Sequence, residues 1–218
     1  MDAEGIIIIG GGGHARVLID ILLGQGKNII GYTEKNSGHD IGLSAVGCIG
    51  NDEDIFNYCP DKVFLVNGVG SVNSESLKKR EYIFKKFTER GYRFPQVISN
   101  HAIVSEFANL QDGVQVMANA TVQSCVSIGE NSIINTGAII EHDCNIGNNV
   151  HIASGAILCG GVSIGNCSHI GAGATIIQSI SVGENVLVAA GAVVIRDILS
   201  NSIAMGVPAV NTERDNFV

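Results

Sequence analysis

The chain has 218 residues, of which 45% are hydrophobic and 16% charged, and its formal net charge is −8 at pH 7. This length allows one or two domains with a true hydrophobic core. The acidic balance argues against general nucleic-acid binding, which requires a basic face.

The first residues of the chain and its cysteines bear on the cellular compartment in which the protein is expected to act. Asp2 and Glu4 directly follow the first residue, and the apolar stretch 5–13 is too short and too rich in glycine to cross a bilayer. The six cysteines form no Cys-x-x-Cys pair, and Cys144 fills a position where small apolar residues recur. We therefore expect no membrane insertion and a reduced, cytoplasmic protein.

The first hundred residues alternate between strand and helix patterns, which is typical of a parallel sheet. Predicted strands cover 5–9, 28–33 and 62–66, predicted helices cover 14–23 and 74–91, and 92–98 is expected to be extended. This pattern predicts a small Rossmann-like α/β domain over residues 1–100.

A glycine run follows the first predicted strand and precedes the first helix. Gly10 to Ala15 satisfies the pattern G-x-G-x-x-A, and Glu34 lies where an acid that binds a ribose is expected. Backbone N–H groups at such a turn can hold phosphate groups. A full NAD site is disfavoured because the domain is too small for both halves of a dinucleotide fold. The alternatives are a mononucleotide or nucleotide-sugar site, or glycines that only allow close packing. A nucleoside triphosphatase is unexpected because the Walker lysine motif is absent.

A six-residue repeat defines the second half. From Val104 to Val194 an aliphatic residue returns at every sixth position through sixteen hexads, and a small or branched residue follows four positions later. A period of six fits neither a helix nor two-residue alternation, but it fits a parallel β-helix in which three hexads form one coil. We predict this all-β domain over residues 101–218, including a C-terminal tail.

Polar residues in the repeat are few. No Lys or Arg occurs between Arg93 and Arg196, so a phosphate held by the coils must be bound by backbone N–H groups, by histidine, by Arg196 or by a neighbouring chain. His151 and His169 are one coil apart and are expected to stack on the same edge. His142 falls on a different edge of the coil.

The histidines suggest two chemistries. A zinc site needs three converging ligands, and the pair of histidines about five residues apart found in trimeric coil proteins with carbonic anhydrase activity is missing, so no metal is expected. His142 lies between Glu141 and Asp143, which fits either a general base oriented by a carboxylate or a solvated corner residue.

Four motifs together carry a family resemblance: Gly10 to His14, the unbroken hexads, Asn135-Thr136 followed by Glu141 to Cys144, and Gly206 to Ala209. With them the chain resembles the sugar O/N-acyltransferases of the left-handed β-helix type, especially the UDP-4-amino-sugar N-acetyltransferases of the bacillosamine pathway. The resemblance implies a homotrimer that binds acetyl-CoA between subunits and a nucleotide sugar at the N-terminal domain.

The same resemblance implies roles for individual residues. His142 is the expected general base and Asp143 the acid that raises its basicity. The residues expected to bind the nucleotide sugar are Gly12, Gly13, His14, Thr33, Glu34 and Gly68. The residues expected to contact acetyl-CoA are His151, Ala172 and Ala190. In relatives a lysine often follows the Gly-x-Pro-Ala turn, whereas Val210 and Asn211 stand here, so Arg196 or Arg214 is left to contact CoA.

The expected activity is acetylation of the amino group of a nucleotide-linked amino sugar, with UDP-4-amino-4,6-dideoxy-N-acetylglucosamine as the first candidate. The alternatives are a GDP-perosamine N-acetyltransferase, an O-acetyltransferase acting on sialic acid or another free sugar, a silent scaffold that binds a nucleotide sugar, and a zinc lyase.

Overall fold

A computed structural model describes residues 5–35, 42, 45–71 and 74–213. Its N-terminal part contains a parallel sheet in the order β3-β2-β1-β4. The strands are β1 (Gly5–Ile9), β2 (Ile29–Thr33), β3 (Cys48–Gly50) and β4 (Val63–Asn67). The helices are α1 (Gly13–Gly24), the 3₁₀ helix Asp52–Asn57 and α2 (Ser74–Thr88).

Strand β1 is buried over its whole length because helices cover both faces of the sheet. Ile6 and Ile8 pack with the apolar face of α1, whereas Ile7 and Ile9 pack with Phe87 and its neighbours on α2. The predicted strand–helix alternation is confirmed, although α2 ends three residues earlier than expected. Sequence patterns did not indicate β3 or the 3₁₀ helix.

The second part is a left-handed β-helix, as predicted. Its short strands pair in parallel with the strands one coil away, 18 residues along the chain, as Ile133 does with His151. The coil strands are β5 (Val97–Ile98), β6 (Ile103–Val104), β7 (Asn109–Leu110), β8 (Gln115–Val116), β9 (Thr121–Val122), β10 (Ser127–Ile128), β11 (Ile133–Ile134), β12 (Ile139–Ile140), β13 (Asn145–Ile146), β14 (His151–Ile152), β15 (Ile157–Leu158), β16 (Ser163–Ile164), β17 (His169–Ile170), β18 (Thr175–Ile176), β19 (Ser181–Val182), β20 (Leu187–Val188) and β21 (Val193–Val194). They form the three faces of the coil.

Each position within the hexad has a fixed structural role. The aliphatic residue and the small residue four positions later point inward and form one continuous core, in which Cys144 is 1% exposed. From Gly113 to Gly191 every residue three positions after the aliphatic one has positive φ. Glycine, asparagine and aspartate tolerate this left-handed conformation, so the corner explains their recurrence there.

The two parts pack directly against each other. β5, which precedes the predicted boundary between residues 100 and 101, already pairs with β8 of the coil. Gln25 of α1 donates its side-chain Nε2 to the carbonyl of Ile98 at 2.6 Å, and Met117 and Ile133 of the coil share the core of α1. These contacts hold the N-terminal sheet domain and the coil together.

The chain ends in a hairpin that extends one face of the coil. β22 (Ser202–Gly206) pairs with β20 and, antiparallel, with β23 (Ala209–Glu213) across a turn containing a cis Val207–Pro208 peptide. Arg214 lies outside the described residues. No helix within the described ranges is long and apolar enough to cross a membrane.

Candidate active site

A pocket of about 620 Å³ opens where the glycine run meets the coil. It lies at the carboxyl ends of β1, β2 and β4, where open α/β sheets bind their ligands. The coil closes the remaining side. Its walls are formed by Gly10–Gly13, His14, Val17, Glu34, Gly68–Ser71, Lys79, Asn135 and His151.

The glycines around this pocket have two different functions. A Cβ at Gly11 would lie 2.7 Å from a carboxylate oxygen of Glu34, and one at Gly68 would lie 2.7 Å from Ile8 and 2.9 Å from Ala15. These two glycines are required by packing. Nothing lies within 4 Å of a Cβ at Gly12 or at Gly13, the residues that open α1. Their backbone is thus open to a ligand, and packing alone does not explain both of them.

His14 is held as a neutral imidazole. Its Nε2 lies 2.7 Å from Oε1 of Gln115, whose own Nε2 donates to the carbonyl of Asn67 at 2.9 Å. This second bond fixes the orientation of the Gln115 amide, so Nε2 of His14 carries the proton. Burial, together with the charge of Arg80, lowers the pKa of His14 to about 4. A neutral His14 adds no charge to attract a diphosphate.

Thr33, expected to contact the nucleotide, is fully buried and does not line the pocket. Its hydroxyl accepts the N–H of Gly10 at 3.1 Å and donates to Oδ1 of Asp52 at 2.5 Å. It therefore fixes the start of the glycine loop from behind. Glu34 does line the pocket, and its Oε1 accepts the N–H of Lys35 at 3.0 Å.

His151 belongs to the coil but faces this pocket. Its Nδ1 donates to the carbonyl of Ser71 at 2.5 Å, and its Nε2 accepts from Nδ2 of Asn135 at 3.1 Å. Its ring lies edge to face against the ring of His169, with the ring centroids 4.8 Å apart. This confirms the prediction that the two histidines stack on the same edge of adjacent coils. Burial, followed by the neighbouring His169, lowers the pKa of His151 to about 3. The structure thus places this expected acetyl-CoA contact beside the expected sugar-nucleotide residues.

His142 and Asp143 lie on another edge of the coil. Nδ1 of His142 is 2.8 Å from Oδ2 of Asp143, and both side chains are 65% exposed. Asp143 occupies the left-handed corner, with φ of 61°, and this turn directs its carboxylate back to the preceding residue. Because a carboxylate only accepts, Nδ1 donates to it, and Nε2 is the ring nitrogen left to act as a base.

The remaining expected residues follow two columns of the coil. Ala172 and Ala190 are exposed, lie one coil apart, and are linked by the hydrogen bond from the N–H of Gly191 to the carbonyl of Ala172. Arg196 follows β21 as His142 follows β12, three coils away on the same edge. At the usual strand spacing this separation is about 14 Å.

Within one chain the predicted residues therefore fall into three groups: the glycine pocket with His151, the edge of His142 and Asp143, and the edge of Ala172 and Ala190. Among the described residues, no cluster of three His, Cys, Asp or Glu side chains is arranged to hold a metal ion.

Sequence reasoning gave no role to three residues of the pocket walls. Lys79 is one of several lysines on a polar helix, and its pattern does not distinguish it from a solvated residue. Asn135 was part of a motif without an assigned task. Ser71 contributes a carbonyl that is 80 residues from its partner His151, so no local signal could reveal it.

Comparisons with known proteins agree with this architecture, an α/β domain joined to a coil of hexapeptide repeats. Residues 5–87 match the PglD N-terminal domain family, and residues 143–178 match the bacterial transferase hexapeptide family of six repeats. No similar sequence was found among curated proteins.

Solved structures extend the likeness over the whole chain. Perosamine N-acetyltransferase from Caulobacter crescentus, as a histidine variant with CoA and GDP-perosamine, is 32% identical with a TM-score of 0.88, covering 95% of this chain and 96% of its own. The acetyltransferase domain of PglB from Neisseria gonorrhoeae, with acetyl coenzyme A, is 30% identical with a TM-score of 0.90, covering 97% and 100%. WeeI from Acinetobacter baumannii, at 22% identity, shares the fold.

The chain belongs to the left-handed β-helix family of sugar N-acetyltransferases that carry a PglD-type N-terminal domain. The predicted family, fold class and enzyme class are thereby confirmed. Acetyl-CoA, the expected co-substrate, is the ligand in the gonococcal structure.

Proposed function

We propose that the protein transfers the acetyl group of acetyl-CoA to the amino group of a UDP-linked 4-amino sugar, UDP-4-amino-4,6-dideoxy-N-acetylglucosamine, giving UDP-N,N′-diacetylbacillosamine for glycan biosynthesis. The observation that carries this proposal is the His142–Asp143 pair, in which the carboxylate holds Nδ1 of an exposed imidazole and leaves Nε2 free to act as a base. The open glycine loop beside the coil supports a nucleotide-linked acceptor.

The chemistry requires one base and no covalent enzyme intermediate. The amine nitrogen attacks the thioester carbonyl carbon, the new C–N bond forms, and the C–S bond breaks. Nε2 of His142 takes the proton that the amine loses, and this proton then neutralises the departing CoA thiolate. The Asp143 carboxylate holds Nδ1–H and stabilises the imidazolium while the proton resides there.

The CoA phosphates need partners in a coil that is nearly free of positive charge. Arg196 lies on the His142 edge about 14 Å along the axis. In the proposed complex it would meet a phosphate while the thioester lies at His142. Backbone N–H groups near Ala172 and Ala190 would complete this contact from another edge.

The separation of the site residues within one chain supports assembly of the site between subunits. His142 does not line the glycine pocket, so a neighbouring chain would have to bring its His142 edge to the pocket. We therefore propose a homotrimer with three shared sites, acting in the cytoplasm, where sugar nucleotides and acetyl-CoA are both available.

GDP-perosamine is the second candidate substrate. The Caulobacter relative, which was solved with CoA and GDP-perosamine, is 32% identical and covers nearly the whole chain. The pocket residues do not favour uracil over guanine.

A mass-spectrometric screen tests the proposal. The protein is incubated with acetyl-CoA and amino sugars linked to UDP, GDP or TDP, alongside free sialic acid, and products are examined for the mass gain of one acetyl group. We expect acetylation of the UDP-linked 4-amino sugar and a loss of kcat of roughly 100-fold or more in His142→Ala. Acetylation of only the GDP sugar or only a free sugar would replace the proposed substrate, and full activity of His142→Ala would remove the base.

A further inference from the structure

The glycine pocket carries little positive charge for a site proposed to bind a diphosphate. Two of its walls carry histidines, but burial lowers the pKa of His14 to about 4 and that of His151 to about 3, so neither ring brings a positive charge at neutral pH. Glu34 adds a negative charge. Among the described residues that line the pocket, Lys79 is the only lysine or arginine.

Lys79 is available to a ligand. Its side chain is exposed, and it forms no salt bridge or hydrogen bond with any residue in the described part of the chain. Lys86, two turns further along the same helix, is by contrast paired with Glu53 at 2.6 Å. A free ammonium at the wall of a pocket can bind an anion without breaking an existing ion pair, so the main cost is the ordering of its side chain.

The position of Lys79 on α2 depends on its neighbour Arg80. The Arg80 guanidinium is 1% exposed; its Nη1 donates to the carbonyls of Asn67 and Val69 at 2.8 and 2.9 Å, and its Nε donates to the carbonyl of Asn131 at 3.1 Å. These bonds set the rotation of α2 against the loop after β4 and against the coil. Lys79 is thereby presented to the pocket, whereas Lys78 is exposed and lines none of the pockets described.

Arg80 itself cannot take the role. It does not line the pocket, and its donors already serve backbone carbonyls, apart from Nη2, which has no partner among the described residues and is buried. Its charge acts on the pocket only at a distance, as the lowered pKa of His14 shows.

We propose that Lys79 is the cation that binds the diphosphate of the sugar nucleotide, opposite the open backbone of Gly12 and Gly13. This inference rests on the proposed function, in that the pocket is taken to receive a nucleotide-linked sugar. It assigns diphosphate binding to one lysine of α2 and leaves His14 as a neutral residue.

Calorimetric titration tests the assignment, with UDP, GDP and uridine as probes of wild type, Lys79→Ala, Lys79→Arg and Lys78→Ala. We expect Lys79→Ala to weaken binding of the diphosphates about 10-fold or more, the size of a hydrogen bond to a charged group, and to leave uridine affinity unchanged. Lys79→Arg should retain most of the affinity, and Lys78→Ala should bind like wild type. Raising the salt concentration should weaken wild type more than Lys79→Ala.

The outcomes separate the two proposals. Equal diphosphate affinity of wild type and Lys79→Ala would overturn the role of Lys79 and leave the proposed function standing. A parallel loss of uridine binding in Lys79→Ala would show a structural role for the lysine and would equally overturn it. If wild type binds neither UDP nor GDP, the proposed function fails and the inference fails with it.

Discussion

The imidazole of His142 rests on Gly160, the residue in the same position one coil later. A Cβ at position 160 would lie 2.7 Å from Cε1 and 2.8 Å from Nε2 of the ring. Gly160 has no positive φ, so its backbone does not require glycine. The absent side chain at position 160 therefore leaves room for the imidazole in its observed position.

Gly160→Ala should consequently displace the imidazole without unfolding the coil. The exposed ring can move away from the new methyl group, so we expect the melting temperature to stay near that of wild type while kcat falls about 10-fold or more. Steady-state kinetics and thermal melting measure the two effects. Gly24→Ala, at a glycine with open space around it, is the matched control and should change neither. An unchanged kcat in Gly160→Ala would show that the ring position is not critical.

Replacing Asp143 by asparagine tests the carboxylate separately from the corner. Asparagine tolerates the left-handed conformation that Asp143 adopts, so the fold should be retained. Without the negative charge the imidazolium is less stabilised, and we expect kcat to fall by roughly 10-fold or more. Steady-state kinetics measure the effect, and a kcat equal to that of wild type would contradict the pairing.

Two glycine substitutions should separate ligand binding from packing. Gly13→Ala adds a methyl group in open space at the start of α1, so stability should be unchanged or higher by up to about 1 kcal/mol, while diphosphate affinity falls. Gly68→Ala forces a contact with Ile8 and Ala15 and should destabilise the fold by about 1–3 kcal/mol. Urea denaturation and calorimetric binding measure both variants. Full affinity in Gly13→Ala would argue against phosphate binding at this turn.

Stability should fall in mild acid because His151 is buried in its neutral form. Its pKa is lowered to about 3 in the fold, chiefly by burial. Between that value and its ordinary value near 6.5, the unfolded chain binds a proton that the folded chain does not. The stabilising contribution is therefore complete above about pH 6.5 and declines as the pH falls, by about 2 kcal/mol at pH 5. His14, with its lowered pKa, acts in the same direction.

Urea denaturation near pH 7 and pH 5 measures this effect. His151→Gln should be less stable than wild type at neutral pH but should lose less stability on acidification. An identical loss in the two proteins would show that His151 does not carry the pH dependence.

The sequence predicts the coil almost completely, because the hexads are a local repeat in which each residue position has one structural task. The stacking of His151 on His169 is predicted by their separation along the sequence alone, which equals one coil. The left-handed conformation of Asp143 was not predicted from the sequence. Asparagine or glycine occupies most of the equivalent corners of the coil, and this equivalence is not evident from the hexad pattern of aliphatic residues.

The pocket is less predictable, because its walls meet through contacts between distant segments. Thr33 ends a strand as expected, yet its side chain turns into the interior to bind Gly10 and Asp52. His151 faces the N-terminal domain only because Ser71 packs against it. Lys79 is distinguished from Lys78 by the burial of Arg80, a tertiary fact that the polar pattern of α2 does not contain.

The reciprocal hydrogen bonds across the junction constrain how such enzymes can be redesigned. His14 of the N-terminal domain bonds to Gln115 of the coil, and His151 of the coil bonds to Ser71 of the N-terminal domain. The pocket wall therefore comes mostly from the N-terminal domain, and the coil adds Asn135 and His151. A chimera that takes only residues 1–100 from a relative with a different nucleotide preference would place these coil residues and Gln115 against an N-terminal domain that they do not match. An exchange that also transplants the partners Gln115, Asn131, Asn135 and His151 would move the specificity as one unit.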